Sequence, residues 1–121
     1  MKEPGPDHPI SIEANPRRVR VRFAGQTIAD TRSALTLREK GHAPVFYIPR
    51  ADATMAALKP TAHHSHCPYK GDASYFTIAA AGREAGNAVW SYEHPFPAVA
   101  AIKEHLAFYP DRVDAIEESD A

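Results

Sequence analysis

A chain of 121 residues, 44% apolar and 24% charged, fits a single hydrophobic core. Fourteen basic against fifteen acidic residues leave no basic excess of the kind that nucleic acid or an anionic membrane surface requires, so neither partner is expected. One cysteine, Cys67, excludes an intrachain disulfide, and with no bilayer-length apolar run and no signal-like stretch in Met1–Pro9 a cytoplasmic domain is expected.

Eleven prolines and six glycines divide the chain into short pieces, a spacing that favours many short antiparallel strands over long helices. Pro4, Pro6, Pro9 and Pro16 make residues 1–16 an extended arm ahead of a single domain over 17–116. Val19, Val21 and Phe23 alternate with Arg18, Arg20 and Arg22, the period of two of a half-buried strand. Gly25-Gln26 turns it, and Thr27-Ile28-Ala29 returns as the hairpin partner. The arginines on its open face read as a solvated surface, given the balanced charge.

Leu35, Leu37 and Glu39 share one face of the next strand. The apolar β-branched and aromatic run Val45–Ile48 predicts a strand stopped by Pro49. Asp52 is expected to cap a helical turn over Met55–Leu58 that Pro60 ends. Ser65–Tyr69 and Ala73–Ile78 flank a second hairpin turn at Lys70-Gly71-Asp72, with Ala81–Asn87 as a loop before a strand at Val89–Tyr92. Pro97 opens the one expected helix, whose apolar stripe is Val99, Ile102 and Leu106, less regularly Phe108. Val113 and Ile116 close the fold, and 117–121 reads as a fraying acidic tail.

Three segments carry candidate chemistry. His63, His64, His66 and Cys67 are metal-ligating residue types, but on a strand His64 and His66 face away from His63 and Cys67, so four ligands do not converge and no metal is expected. Cys67 lies three residues before Lys70, and an ammonium beside a thiol favours the nucleophilic thiolate, with His66 or His64 as a base; Cys67 and Lys70 are therefore the candidate catalytic residues. Tyr47, Tyr75, Trp90 and Tyr92 lie on strands and suit the walls of a cleft for a flat or amphipathic ligand. Glu39 prolongs an apolar face, so a carboxylate there turns inward and needs a partner, either Lys70 or Arg32.

Taken together, Gly25, Ala29-Asp30-Thr31, Glu39, Pro44-Val45, Tyr47-Ile48-Pro49, Asp52, Ala73-Ser74-Tyr75, Trp90, Tyr92, Pro95 and Phe108-Tyr109, with Cys67-Pro68-Tyr69-Lys70-Gly71 as the most specific block, resemble the bacterial family catalogued as domain of unknown function 427. The resemblance covers roughly residues 15 to 116. It implies a β-tent-like fold of two antiparallel sheets meeting at an angle, and no established activity. Proteins in this family are sometimes labelled nucleotidyltransferase-like, yet this chain has neither a Gly-Ser motif nor an Asp-x-Asp pair for metal-bound triphosphate. Some β-tent proteins hold zinc on paired Cys-x-x-Cys motifs, which a single cysteine does not supply.

The sequence therefore leads to a mainly β domain, two sheets at an angle with one C-terminal helix, that binds a small molecule without a cofactor. Its expected lining is Glu39, Tyr47, Asp52, Cys67, Lys70, Tyr75, Trp90 and Tyr92, with Lys70 as a positive anchor oriented by Glu39. An enzyme using Cys67 with Lys70 or His66 is the alternative. A protein-interaction module, which would expose an apolar patch, is the third reading.

Overall fold

In a computed structural model that describes residues 1–121, ten strands form three antiparallel sheets. In chain order the strands are β1 (Ile10–Asn15), β2 (Arg18–Phe23), β3 (Gln26–Thr31), β4 (Ala34–Glu39), β5 (Val45–Tyr47), β6 (Leu58–Cys67), β7 (Gly71–Ala80), β8 (Arg83–Ser91), β9 (Ala107–Phe108) and β10 (Ala115–Ser119). The sheets run β1-β4-β5, β10-β2-β3 and β6-β7-β8-β9. The expected two sheets thus become three. Two of them meet at one point, where Ile48 and Leu106 exchange backbone hydrogen bonds of 2.8 Å and bring β5 alongside β9.

The alternation in β2 does what its period predicts. Val19, Val21 and Phe23 are at most 1% exposed and enter the larger of two apolar cores, joined by Ile28, Ile48, Ile78, Val89 and Leu106. Burying side chains of this size contributes about 1.5–3 kcal/mol each. On the outer face, Arg18 meets Asp30 at 2.6 Å and Arg17 meets Asp120 at 2.7 Å and Glu118 at 3.2 Å. The hydrogen bond from Arg18 holds the Asp30 carboxyl below its ordinary range. Of the β2 arginines, Arg18 is thus paired with an acid of β3, while Arg22 donates to Thr27 Oγ1 at 3.3 Å.

Several local expectations are corrected. The first turn is Ala24-Gly25, both at positive φ (52° and 76°), which suits the twist of a two-residue hairpin. The arm is not free: Ile10–Asn15 is β1, zipped to β4 from Ile10 opposite Glu39 to Asn15 opposite Ala34. The acidic tail is not free either, because Glu117–Ser119 pair with β2 as part of β10. The loop assigned to Ala81–Asn87 shrinks to Ala81-Gly82, and Asn87 at φ 50° marks an irregularity inside β8.

The expected C-terminal helix is absent. Pro97–Ile102 forms a short 3-10 segment broken at Val99 (φ −123°, ψ 27°), and the chain then enters β9. A 3-10 turn has about three residues, so Val99 and Ile102 still share a face; they bury at 1% and 0%. Leu106, the third member of the stripe, is required at the Ile48 bridge, and that pairing ends the helical geometry. Likewise Arg50–Asp52 and Met55–Ala57 are 3-10 turns without side-chain caps. No helix is long and apolar enough to cross a membrane.

Candidate functional site

The smaller core, built on Leu37, Tyr47, Ala73, Tyr75, Tyr92, Val99, Ile102 and Ala107, sits where the β1-β4-β5 and β6-β7-β8-β9 sheets approach each other. A pocket of about 300 Å³ opens onto it, within the size range of small-molecule sites. Strand β4 contributes Leu37 and Glu39, two residues apart on one face, and β5 contributes Val45 and Tyr47 by the same alternation. Tyr75 comes from β7, Trp90 from the end of β8, and Tyr92 and Tyr109 from the segments after β8 and β9. His42 and Ala43 form the rim.

Lys70 reaches the pocket from the loop Pro68–Lys70. Its Nζ donates to Glu39 Oε1 at 2.6 Å, with the two side chains only 11% and 8% exposed. The loop is fixed by Gly71 at φ 107° and by the Phe96 amide, which donates to the Lys70 carbonyl at 3.0 Å. His8 Nε2 lies 2.7 Å from Glu39 Oε2, and its ring stacks on Tyr69 at 4.1 Å between centroids. Burial pushes the Glu39 carboxyl up, but the hydrogen bonds from Lys70 and His8 outweigh it and hold Glu39 below its ordinary value. Glu39 is therefore an ionised, doubly held carboxylate.

The aromatic wall is ordered by its own hydrogen bonds. Trp90 Nε1 donates to the Tyr47 hydroxyl at 3.3 Å, and the two rings meet edge to face at 6.4 Å. Tyr75 and Tyr109 hydroxyls are 3.4 Å apart, and Ser65 Oγ sits 2.8 Å from the Tyr75 oxygen. Tyr109 also packs against Trp90 at 4.5 Å between centroids. Burial pushes the Tyr47 and Tyr92 phenols far up, and that of Tyr109 to about 12.

Six of the residues singled out in the sequence, Glu39, Tyr47, Lys70, Tyr75, Trp90 and Tyr92, line this one pocket. Asp52 does not: it is exposed beside β3, where its carboxylate accepts from Thr31 Oγ1 at 2.7 Å. Cys67 is a free, half-buried thiol that packs against the smaller core without lining the pocket. Of its expected activators, Lys70 is engaged with Glu39 and His66 with Asp72 at 2.7 Å, while His64 is exposed. Of the two partners expected for Glu39, Lys70 takes the role, while Arg32 donates to the C-terminal Ala121 carbonyl. Across the histidine cluster, His63 packs on Tyr75 and His66 on Phe96, and no group of three or more His, Cys, Asp or Glu is placed to hold a metal ion.

Sequence reasoning missed His8, His42 and Tyr109. His8 lies 31 residues from Glu39 in a stretch read as an extended arm ahead of the domain, and only the β1–β4 register delivers it. Tyr109 carried a signal, since it adjoins the apolar Ala107-Phe108 strand that was assigned to a helix. A second cavity of about 290 Å³ lies across β5 and is lined by Val21, Phe46, Ile48, Phe108, Ile116 and other residues, none charged. Trp90 borders both cavities.

No curated protein matches the sequence. A family model described as "Domain of unknown function (DUF427)" matches residues 11–119, nearly the whole chain, from β1 through β10. By sequence and over the length of its fold, the chain belongs to the DUF427 family.

Proposed function

We propose that this is a small-molecule-binding domain whose ligand occupies the pocket between β4-β5 and β7-β8. The observation that carries the reading is the Lys70–Glu39 pair, 2.6 Å apart and at most 11% exposed, set into an otherwise aromatic and aliphatic wall. Apolar residues of similar volume usually serve stability as well as or better than a buried ion pair, so stability alone is a weak reason for one here. A concave aromatic site with a few fixed polar groups is the ordinary form of a ligand pocket. The balance of fourteen basic against fifteen acidic residues supports a reading without nucleic acid as partner. Met1 is the one exposed large apolar residue, which favours a pocket over an apolar docking patch. The free thiol of Cys67 fits a reducing, cytoplasmic setting.

A small-molecule library screened by thermal shift tests the proposal. Binders should raise the melting temperature and change the fluorescence of Trp90, the chain's single tryptophan. They should lose their effect in Ala43→Phe, which places a ring at the exposed rim without touching the core. Shifts that persist unchanged in Ala43→Phe would place the binders elsewhere and sink the reading.

A further inference from the structure

The hydrogen bonds of the pocket wall are unevenly used. Each Glu39 oxygen already accepts one hydrogen bond, Oε1 from Lys70 and Oε2 from His8. The Tyr47 oxygen accepts from Trp90, a donor-only group, so the Tyr47 proton has no acceptor in the chain. Tyr92 is 6% exposed, yet no side-chain hydrogen bond relieves the burial of its phenol. No polar side-chain atom sealed from solvent lacks a partner, so the Tyr92 hydroxyl keeps its contact with open space, and the pocket is the space it lines. Lys70 engages one of its three N–H groups. Beside the second lone pairs of Glu39, the unused capacity of this wall is mostly that of donors: the Tyr47 and Tyr92 hydroxyls and two N–H groups of Lys70.

Charge narrows the class further. Lys70 is matched one to one by Glu39, which leaves no unpaired buried cation to receive an anion. Burial keeps the Tyr92 and Tyr47 phenols protonated far above their ordinary range, and a space that disfavours a phenolate disfavours a ligand carboxylate for the same reason. An ammonium would meet hydroxyl protons and Lys70 with no free carboxylate to pair it.

We propose that the ligand is an uncharged planar molecule that presents a carbonyl-type oxygen to the Tyr92 and Tyr47 hydroxyls and the remaining N–H groups of Lys70; this rests on reading the pocket as a ligand site. The aromatic faces of Trp90 and Tyr109 take the plane of the molecule, and the donors take its oxygen.

The test uses the unmodified full chain and four small monosubstituted benzenes, benzamide, benzoate, benzylammonium and toluene, titrated against Trp90 fluorescence. Benzamide is expected to bind saturably and about tenfold or more tighter than either ion, because each ion carries an uncompensated charge out of water. Tyr92→Phe, which removes one neutral hydrogen bond, should weaken benzamide about fivefold and leave toluene unchanged. Benzoate or benzylammonium binding as tightly as benzamide overturns the inference, and so does an unaltered benzamide affinity in Tyr92→Phe. Should the variant fail to fold, the rank order on the unmodified chain decides. If all four probes fail while a library compound binds at the Ala43-sensitive site, the acceptor class falls and the pocket stands. If nothing binds there, both fall.

Discussion

Replacing Lys70 by Met keeps the length and apolar stem of the side chain and removes its charge, leaving the Glu39 carboxylate 8% exposed with His8 as its remaining partner. Taking one member from a buried pair costs about 3–5 kcal/mol. Because His8 still holds Oε2, the lower end applies, about 3 kcal/mol. With an unfolding entropy of about 2.1 cal/mol/K per residue, a chain of 121 residues changes by about 0.25 kcal/mol/K, so the melting temperature should fall about 12 °C. The pH dependence identifies the cause. In the parent, Glu39 is held below its ordinary 4.5, so its contribution is present above that value and is lost as pH falls through the lowered one. Without Lys70, burial acts on Glu39 against weaker opposition and raises its pKa, so acidification relieves the variant and the deficit should shrink between pH 7 and about pH 4. Adding Glu39→Gln to Lys70→Met should return about 2 kcal/mol, since the orphaned charge is then gone. Urea denaturation of the two variants beside the parent, at both pH values, reads all of this. A deficit under about 1 kcal/mol at pH 7, or one that does not change with pH, refutes the account of a buried pair whose partners depend on each other.

Three further outcomes are expected. Gly71→Ala forces a side chain onto φ 107° with its Cβ 3.4 Å from the His94 carbonyl and should lower stability by about 2 kcal/mol; an unmoved urea midpoint contradicts this. Tyr47 and Tyr92 are 1% and 6% exposed with pKa values raised from 10.0, so the folded state keeps protons that the unfolded state loses. With Tyr109, whose phenol is pushed to about 12, three groups act together, so stability should fall by up to about 4 kcal/mol per pH unit above pH 10, the slope dropping by about a third in Tyr92→Phe; a flat profile between pH 10 and 11 counts against it. Deleting residues 115–121 removes β10, uncovers the β2 edge and strips Ile116 from the larger core. The product should not give a cooperative thermal transition by circular dichroism, and one within 5 °C of the full chain would show that the C-terminal strand is dispensable.

Much of the strand content was legible because its signals are local. The alternation of Val19, Val21 and Phe23, the run at Val45–Ile48 and the inward turn of Glu39 after Leu37 all follow from a period of two. The pocket lining was legible in part: Glu39 continues the face of Leu35 and Leu37, and it shares one pocket with the strand aromatics Tyr47, Tyr75 and Trp90. Asp52 failed because its place depends on a 3-10 turn packed against β3. Cys67 lies outside the pocket lining, and its neighbour in sequence, Lys70, turns to Glu39 in space.

The sequence by itself determined the mainly antiparallel β class, the hairpins and the inward carboxylate that needs a cation, since each depends on residues a few positions apart. Only the tertiary structure decided that there are three sheets, that the arm and the tail are strands, and that the Val99–Leu106 stripe is spent on a 3-10 turn and a sheet bridge. It alone decided that His8 completes Glu39. Those outcomes depend on pairings between segments far apart in the chain, whose energies come from hydrogen bonds and burial that no local pattern records.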